Sequence, residues 1–186
     1  MLNALKPIIC TTFLVLAVSL QLLAQKEAAP FTAKNAVYLE LGGNGVFYSL
    51  NYERMVYQKG MFKSAARIGF STFPKKIETE TKTYWNAALP LELLGLIGRS
   101  KHHLEFGVGY TPYYYADTKF EVGSRGFEFD RYRFTAIVPF RIGYRYQNPD
   151  GGFLFRVGYM PTMDFHPDRH QPWNLVYGGI SIGKSF

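Results

Sequence analysis

The chain has 186 residues and carries 21 Lys and Arg against 14 Asp and Glu, a formal charge of +7. Aromatic residues make up 17 % of it, Gly numbers 18, and the mean hydropathy is only -0.10. That length suits one domain, that hydropathy excludes a helical membrane protein, and aromatic richness at middling hydropathy fits alternating strands.

The amino terminus has the layout of an export signal. Lys6 supplies a positive start, Ile8 to Leu23 is almost wholly apolar, and Ala24 precedes Gln25 and Lys26. This predicts a secretory signal peptide over residues 1–24, cut after Ala24, with Leu22 departing from the small-residue rule. A transmembrane anchor is the weaker reading, because the run is short for a span of about 20 residues. Cys10 is the only cysteine and lies before the expected cut, so no disulfide or thiol chemistry is expected in the mature chain. Removal of Lys6 takes the formal charge from +7 to +6. In an exported chain that balance speaks for anionic headgroups or solubility, and no nucleic-acid partner is expected.

Residues 25–35 form a polar lead-in with Pro30. Ala36 to Gly43 and Val46 to Met55 then flank Asn44-Gly45, the favoured two-residue type I′ hairpin turn. Pairing Gly43 with Val46 sets Leu41 against Tyr48, Leu39 against Leu50 and Val37 against Tyr52, with Glu40 against Ser49 and Tyr38 against Asn51 on the other face. The apolar sets coincide, which supports that register. Gln58-Lys59-Gly60 reads as a three-residue loop that pairs Tyr57 with Met61, and hence Tyr52 with Ala66, Leu50 with Ile68 and Tyr48 with Phe70.

Residues 72–83 read as a polar loop. A fourth strand follows over Tyr84 to Leu96, weakened by Pro90, which cannot donate to a ladder. A short turn at 98–102 leads to a fifth, in which Leu104, Phe106, Val108 and Tyr110 alternate with Glu105, Gly107, Gly109 and Thr111. A second long loop is expected over 116–128. Phe129 to Tyr146 alternates most clearly, with Phe134, Val138, Phe140, Ile142 and Tyr144 on one face and Arg133, Arg141 and Arg145 on the other. Asn148 to Gly151 is strong turn punctuation. Phe153, Phe155, Val157 and Tyr159 then oppose Leu154, Arg156 and Gly158, a third long loop covers 161–172, and a final strand carries Val176, Ile180, Ile182, Lys184 and Phe186 on one face.

That makes eight strands, with three long loops at one rim and three short turns at the other, the asymmetry of an outer-membrane barrel. The face that is apolar decides between water and lipid. Glu40, Arg67, Glu92, Glu105, Arg133, Arg141, Arg145 and Arg156 share one face with many glycines, while Tyr, Phe, Leu, Ile and Val occupy the other. An eight-stranded barrel has an interior just wide enough to fill with side chains. Small residues with a few Arg and Glu fill it as a paired network, whereas Tyr and Phe from every strand would overfill it. The expectation is an all-β fold: an eight-stranded antiparallel up-and-down transmembrane β-barrel over 36–186. The alternative is a soluble periplasmic lipocalin-like barrel that binds an apolar ligand.

Three stretches carry a resemblance: Leu23-Ala24-Gln25, the hairpin at 36–54, and the closing Gly-Ile-Ser-Ile-Gly-Lys-Ser-Phe at 179–186. With them the chain resembles the small outer-membrane β-barrel proteins common in Bacteroidota, of OmpX-type size. The resemblance implies a cell outer-membrane location, outer-membrane lipid as the surrounding partner, and a monomer. It also implies that Phe186, with Ile182 and Ile180 on the same face, is read by the barrel-assembly machinery during insertion. Lys184 departs from an all-apolar lipid face and would snorkel to headgroups near the rim.

Chemistry is weakly signalled. The inward charges read as a structural network that fills the barrel, with passage of solutes or protons as the alternative. Asp164, His166, Asp168 and His170 alternate in the last long loop in a pattern that suits zinc, but Pro167 and Arg169 interrupt it and an ordinary loop tip is the preferred reading. His102 and His103 lack an orienting Ser or Asp. A lipid-modifying outer-membrane enzyme is the other alternative, and Ser71, Ser124 and His166 are its scattered candidates. No cofactor, metal or catalytic residue is expected, and the expected role is structural or adhesive.

Overall fold

A computed structural model describes residues 28–121, 126–164, 173–175 and 177–186. Its eleven strands are β1 (Asn35–Gly42), β2 (Tyr48–Lys59), β3 (Phe62–Lys76), β4 (Thr83–Ala88), β5 (Leu91–Ile97), β6 (His102–Glu121), β7 (Gly126–Gln147), β8 (Gly152–Tyr159), β9 (Thr162–Asp164), β10 (Trp173–Asn174) and β11 (Gly178–Ser185). All belong to one antiparallel sheet, and the only helix among the described residues is a single 3-10 turn at Gly43–Gly45. The ladders run β7–β8–β11–β1–β2–β3–β5–β6 and come back to β7.

Eleven strands among the described residues replace the eight expected, and a proline accounts for one of the three additions. The fourth expected strand is cut at Leu89-Pro90 into β4 and β5, both of which pair with β3. Proline has no N–H for the ladder, yet its carbonyl still accepts from Gly69 N at 2.7 Å, so the course of the chain is kept. The seventh ends before Met160-Pro161 much as expected, and β9 lies beyond that proline, inside the expected loop, where it too pairs with β7. The short β10, which pairs with β9, is the third addition.

The loops expected at 72–83, 116–128 and 161–172 are partly strand. β3 runs on to Lys76, β6 to Glu121, and β7 begins at Gly126, so paired hairpins replace the polar loops. Lys75, Lys76, Asp117, Lys119 and Glu128 thereby sit on strands, while Glu78, Glu80 and Lys82 remain in the connection between β3 and β4. This outer sheet has a small core of its own, in which Ile77, Tyr84 and Ala116 are buried against Phe129. Tyr84 stacks on Phe129 with ring centroids 4.4 Å apart, and Tyr114 stacks on Tyr132 at 4.7 Å.

The first hairpin keeps the expected register throughout, with Leu41 opposite Tyr48, Leu39 opposite Leu50 and Val37 opposite Tyr52. Its turn differs. Gly42 N bonds Phe47 O at 2.8 Å, so four residues rather than two form the loop. Gly42, Gly43 and Val46 have φ of 71°, 67° and 74°. In the second hairpin the turn is Gly60-Met61, and Leu50 faces Phe70 and Tyr52 faces Ile68. Next to the turn the register is three residues from the expected one, and the bulge between Met55 and Tyr57 takes back one of them, leaving a shift of two. A shift of two preserves which face each side chain occupies. The last strand lies against β1 as expected, with Leu39 opposite Ile182 and Leu41 opposite Ile180.

The lead-in is not a loose tail over its described part. Thr32 N and Ala33 N both bond Pro149 O, and Gln58 exchanges two hydrogen bonds with the Phe31 backbone. The Phe31 ring is thereby buried among Met55, Ala65, Leu94 and Leu96 at the end of the ring that carries the short turns.

Candidate functional site: a neutral charge network inside the ring

Alternation along the ring strands aims every second side chain inward. Four arginines and four glutamates meet there: Arg67, Arg141, Arg145 and Arg156 with Glu40, Glu53, Glu92 and Glu105. Their formal charges cancel, which is the condition for holding ions away from water. Each of these side chains is at most 2 % exposed.

The network has two tiers. In one, Arg67 bridges Glu40 and Glu92, each at 2.5 Å, while Arg141 reaches Glu40 at 2.7 Å and Glu92 at 3.3 Å. In the other, Arg145 holds Glu53 at 2.6 Å and Arg156 holds Glu105 at 2.6 Å. Arg141 links the tiers through Glu105 at 3.6 Å. Tyr38 stands between them: its hydroxyl donates to Glu53 at 3.0 Å, and its ring lies 4.7 Å from the Arg156 guanidinium and 5.6 Å from that of Arg67. Neutral partners occupy remaining sites, with Asn51 accepting from Arg67, Asn44 donating to Glu92, Ser181 donating to Glu40 and Gln147 accepting from Arg145.

Both ends of this interior are closed. On one side the turn after β1 folds inward, with Gly43, Asn44 and Gly45 buried and Ser71 donating to Gly45 O at 2.8 Å. A Cβ at Gly43 would sit 2.7 Å from Glu40 Oε2, and the φ of 67° is one that L side chains rarely adopt, so only glycine lets the turn cap the network. On the other side Phe31 forms the stopper. Lys63 Nζ lies 5.2 Å from its ring and donates to Gly98 O, and the His103 ring lies 5.2 Å away.

Seven of the eight residues expected inside are in the network. Arg133 is not: it lies on the outer part of β7, is about a third exposed, and pairs with Asp117 at 2.6 Å. β7 is 22 residues long, so its outer half stands beyond the ring. Alternation gives a side chain's face but not its height. Glu53 was missed, although it shares the face of Ser49 and Asn51 two residues away. Ile180, Ile182 and Phe186 are exposed on the outer face.

Beyond the inward turn lies a cavity of about 490 Å³. Val46, Phe73, Ala87 and Ile137 supply apolar wall, and Asn86, Tyr113, Thr162, Asp164, Asn174 and Tyr177 supply polar groups. Of the suspected zinc ligands Asp164 lines this cavity, while His166, Asp168 and His170 lie outside the described residues, as does Ser124. Ser71 is buried under the turn, and His102 bonds the Tyr144 hydroxyl at the opposite end.

In the outer sheet Glu80 acts as a clasp. It accepts from the Tyr84 hydroxyl, and from Phe129 N at 2.7 Å. Those two hydrogen bonds hold its carboxyl below the usual glutamate range, and the same contact pushes the Tyr84 hydroxyl up to about 12.

Comparison with protein-family models, with curated proteins and with solved structures finds no match to this chain.

Proposed function

We propose that the chain is an exported, monomeric outer-membrane β-barrel with a plugged polar interior, whose role is structural or adhesive at the cell surface. The observation that carries this reading is the inversion of its two faces. Paired charges fill the inside, while large apolar side chains stand outside, with Leu93 65 %, Leu50 59 % and Ile142 54 % exposed. In water a continuous surface of that kind is a liability. In a bilayer it is the lipid-facing band, and ladders that return on themselves leave no unpaired edge in hydrocarbon.

On this reading the staves are β1, β2, β3, β5, β6, β7, β8 and β11, eight in simple up-and-down order. Tyr48, Phe70, Tyr110 and Tyr159 would form one aromatic girdle, and Tyr57, Phe62, Phe153 and Phe186 the other. Residues 1–24 serve as the export signal and the Ile180, Ile182 and Phe186 face as the mark for insertion. β4, β9, β10 and the outer parts of β3, β6 and β7 stand outside the bilayer.

The test is fractionation with gel migration. The reading expects recovery in the outer-membrane fraction and a band that shifts on boiling. Recovery as a soluble periplasmic protein with no such shift would overturn it in favour of the ligand-carrying soluble barrel.

A further inference from the structure

We infer that the cavity of about 490 Å³ beyond the inward turn is a binding site for a small neutral carbohydrate of one or two sugar units. Its size falls within the range of ligand pockets, about 300–1,000 Å³, and it has the usual make-up of a mainly apolar wall with a few polar groups.

The chemistry of the wall selects the ligand class. Among the described residues no Lys or Arg lines the cavity, and Asp164 places a carboxylate there, so phosphates and carboxylates are disfavoured. The remaining polar side chains are phenols, amides and alcohols, among them Tyr113, Tyr177, Asn86, Asn174 and Thr162. These both donate and accept. A cation would use only the acceptors and leave the amide and hydroxyl donors idle. A purely apolar ligand would cover the Tyr177 hydroxyl and the Asn86 amide N–H groups without replacing the water that they lose. A sugar ring matches both halves of the wall, with a C–H face for an aromatic ring and a hydroxyl edge that donates and accepts.

The site is also built on fixed elements. Asn86 Oδ1 accepts from Ala116 N at 2.8 Å, which orients that amide. Tyr177 O accepts from Met160 N at 2.8 Å, which ties the approach to β11 back to the end of β8. The inward turn separates the cavity from the charge network, so a ligand would rest on a closed floor and not pass through. That the mouth faces the cell exterior rests on the membrane reading; the binding does not.

The experiment is saturation-transfer NMR on the purified full chain, folded in tetraoxyethylene detergent so that no sugar or choline headgroup competes. The probes are glucose, N-acetylglucosamine and maltose, with choline and glucose 6-phosphate beside them. Transfer to at least one neutral sugar is expected. Tyr177→Ala should abolish it, and Tyr177→Phe should weaken affinity up to about tenfold, the cost of one hydrogen bond. Lys59→Ala, at the opposite rim, should leave it unchanged. Circular dichroism identifies any variant that has not folded, and Tyr177→Phe stands as the test should Tyr177→Ala be one. Transfer to no sugar, transfer to choline or the phosphate alone, or undiminished transfer in the folded Tyr177 variants overturns the proposal.

Discussion

Glu40 accepts from two arginines and a serine at once, in a site with no exposure to solvent. Glu40→Gln would leave Arg67 and Arg141 sharing one fewer charge in low dielectric. Breaking a buried pair in this way costs about 3–5 kcal/mol, most of it the penalty on the charge left behind. Removing both members is different, because the desolvation of the arginine is then removed as well. Glu40→Gln with Arg67→Met is therefore expected to be more stable than Glu40→Gln alone. Urea unfolding of the refolded protein, arranged as a double-mutant cycle, reads this directly, and a double variant as unstable as the sum of the singles would show that Arg67 is not the partner that matters. At this scale alternation made most of the network legible, since parity puts Glu40, Arg67, Glu92 and Arg156 on one face. The pairing was not legible. Which arginine meets which glutamate depends on strand tilt and stagger, and these are properties of the assembled sheet.

Elements outside the ring were harder to read, and their charges explain why. Lys75, Lys76, Glu78, Glu80 and Lys82 look like solvated loop, yet they flank a β3–β4 hairpin whose order comes from partners distant in sequence. Lys75 Nζ bonds Ala116 O, 41 residues away, and Glu80 bonds Phe129 N, 49 residues away. Local composition carries no trace of such contacts, whereas Pro90 announced the break that it causes. The Glu80 clasp should respond to pH. Its carboxyl is held below the ordinary value when folded, so its contribution is full above the unfolded glutamate range and falls away as pH drops through the lowered value. Protection of the Phe129 amide against hydrogen exchange should then decline in acid. In Glu80→Gln the protection should be weaker at neutral pH and should lose this pH step. A step of equal size in Glu80→Gln would assign the titration to another group.

At the scale of the molecule, the closed interior decides what passes through it. A conducting barrel needs a continuous wet path, with polar groups that solvent can reach. Here eight opposed charges bond one another, Gly43 to Gly45 cap one end, and Phe31 stops the other. Asn44-Gly45 marked a turn but not its inward course, whereas the ring of strands was open to sequence reasoning through the apolar register. The stopper was not. One phenylalanine in a polar lead-in has no period, and it is held by Gln58 and Pro149, which belong to two separate turns. Purified protein in a planar bilayer is therefore expected to give no stepwise conductance. Phe31→Ala should remain silent too, although it loses a buried ring worth about 3–5 kcal/mol of stability, because the two tiers of ion pairs still block the bore. Steps in the wild-type protein would mean that the network opens in the membrane. Steps in Phe31→Ala alone would mean that the stopper, and not the paired charges, is what seals the ring.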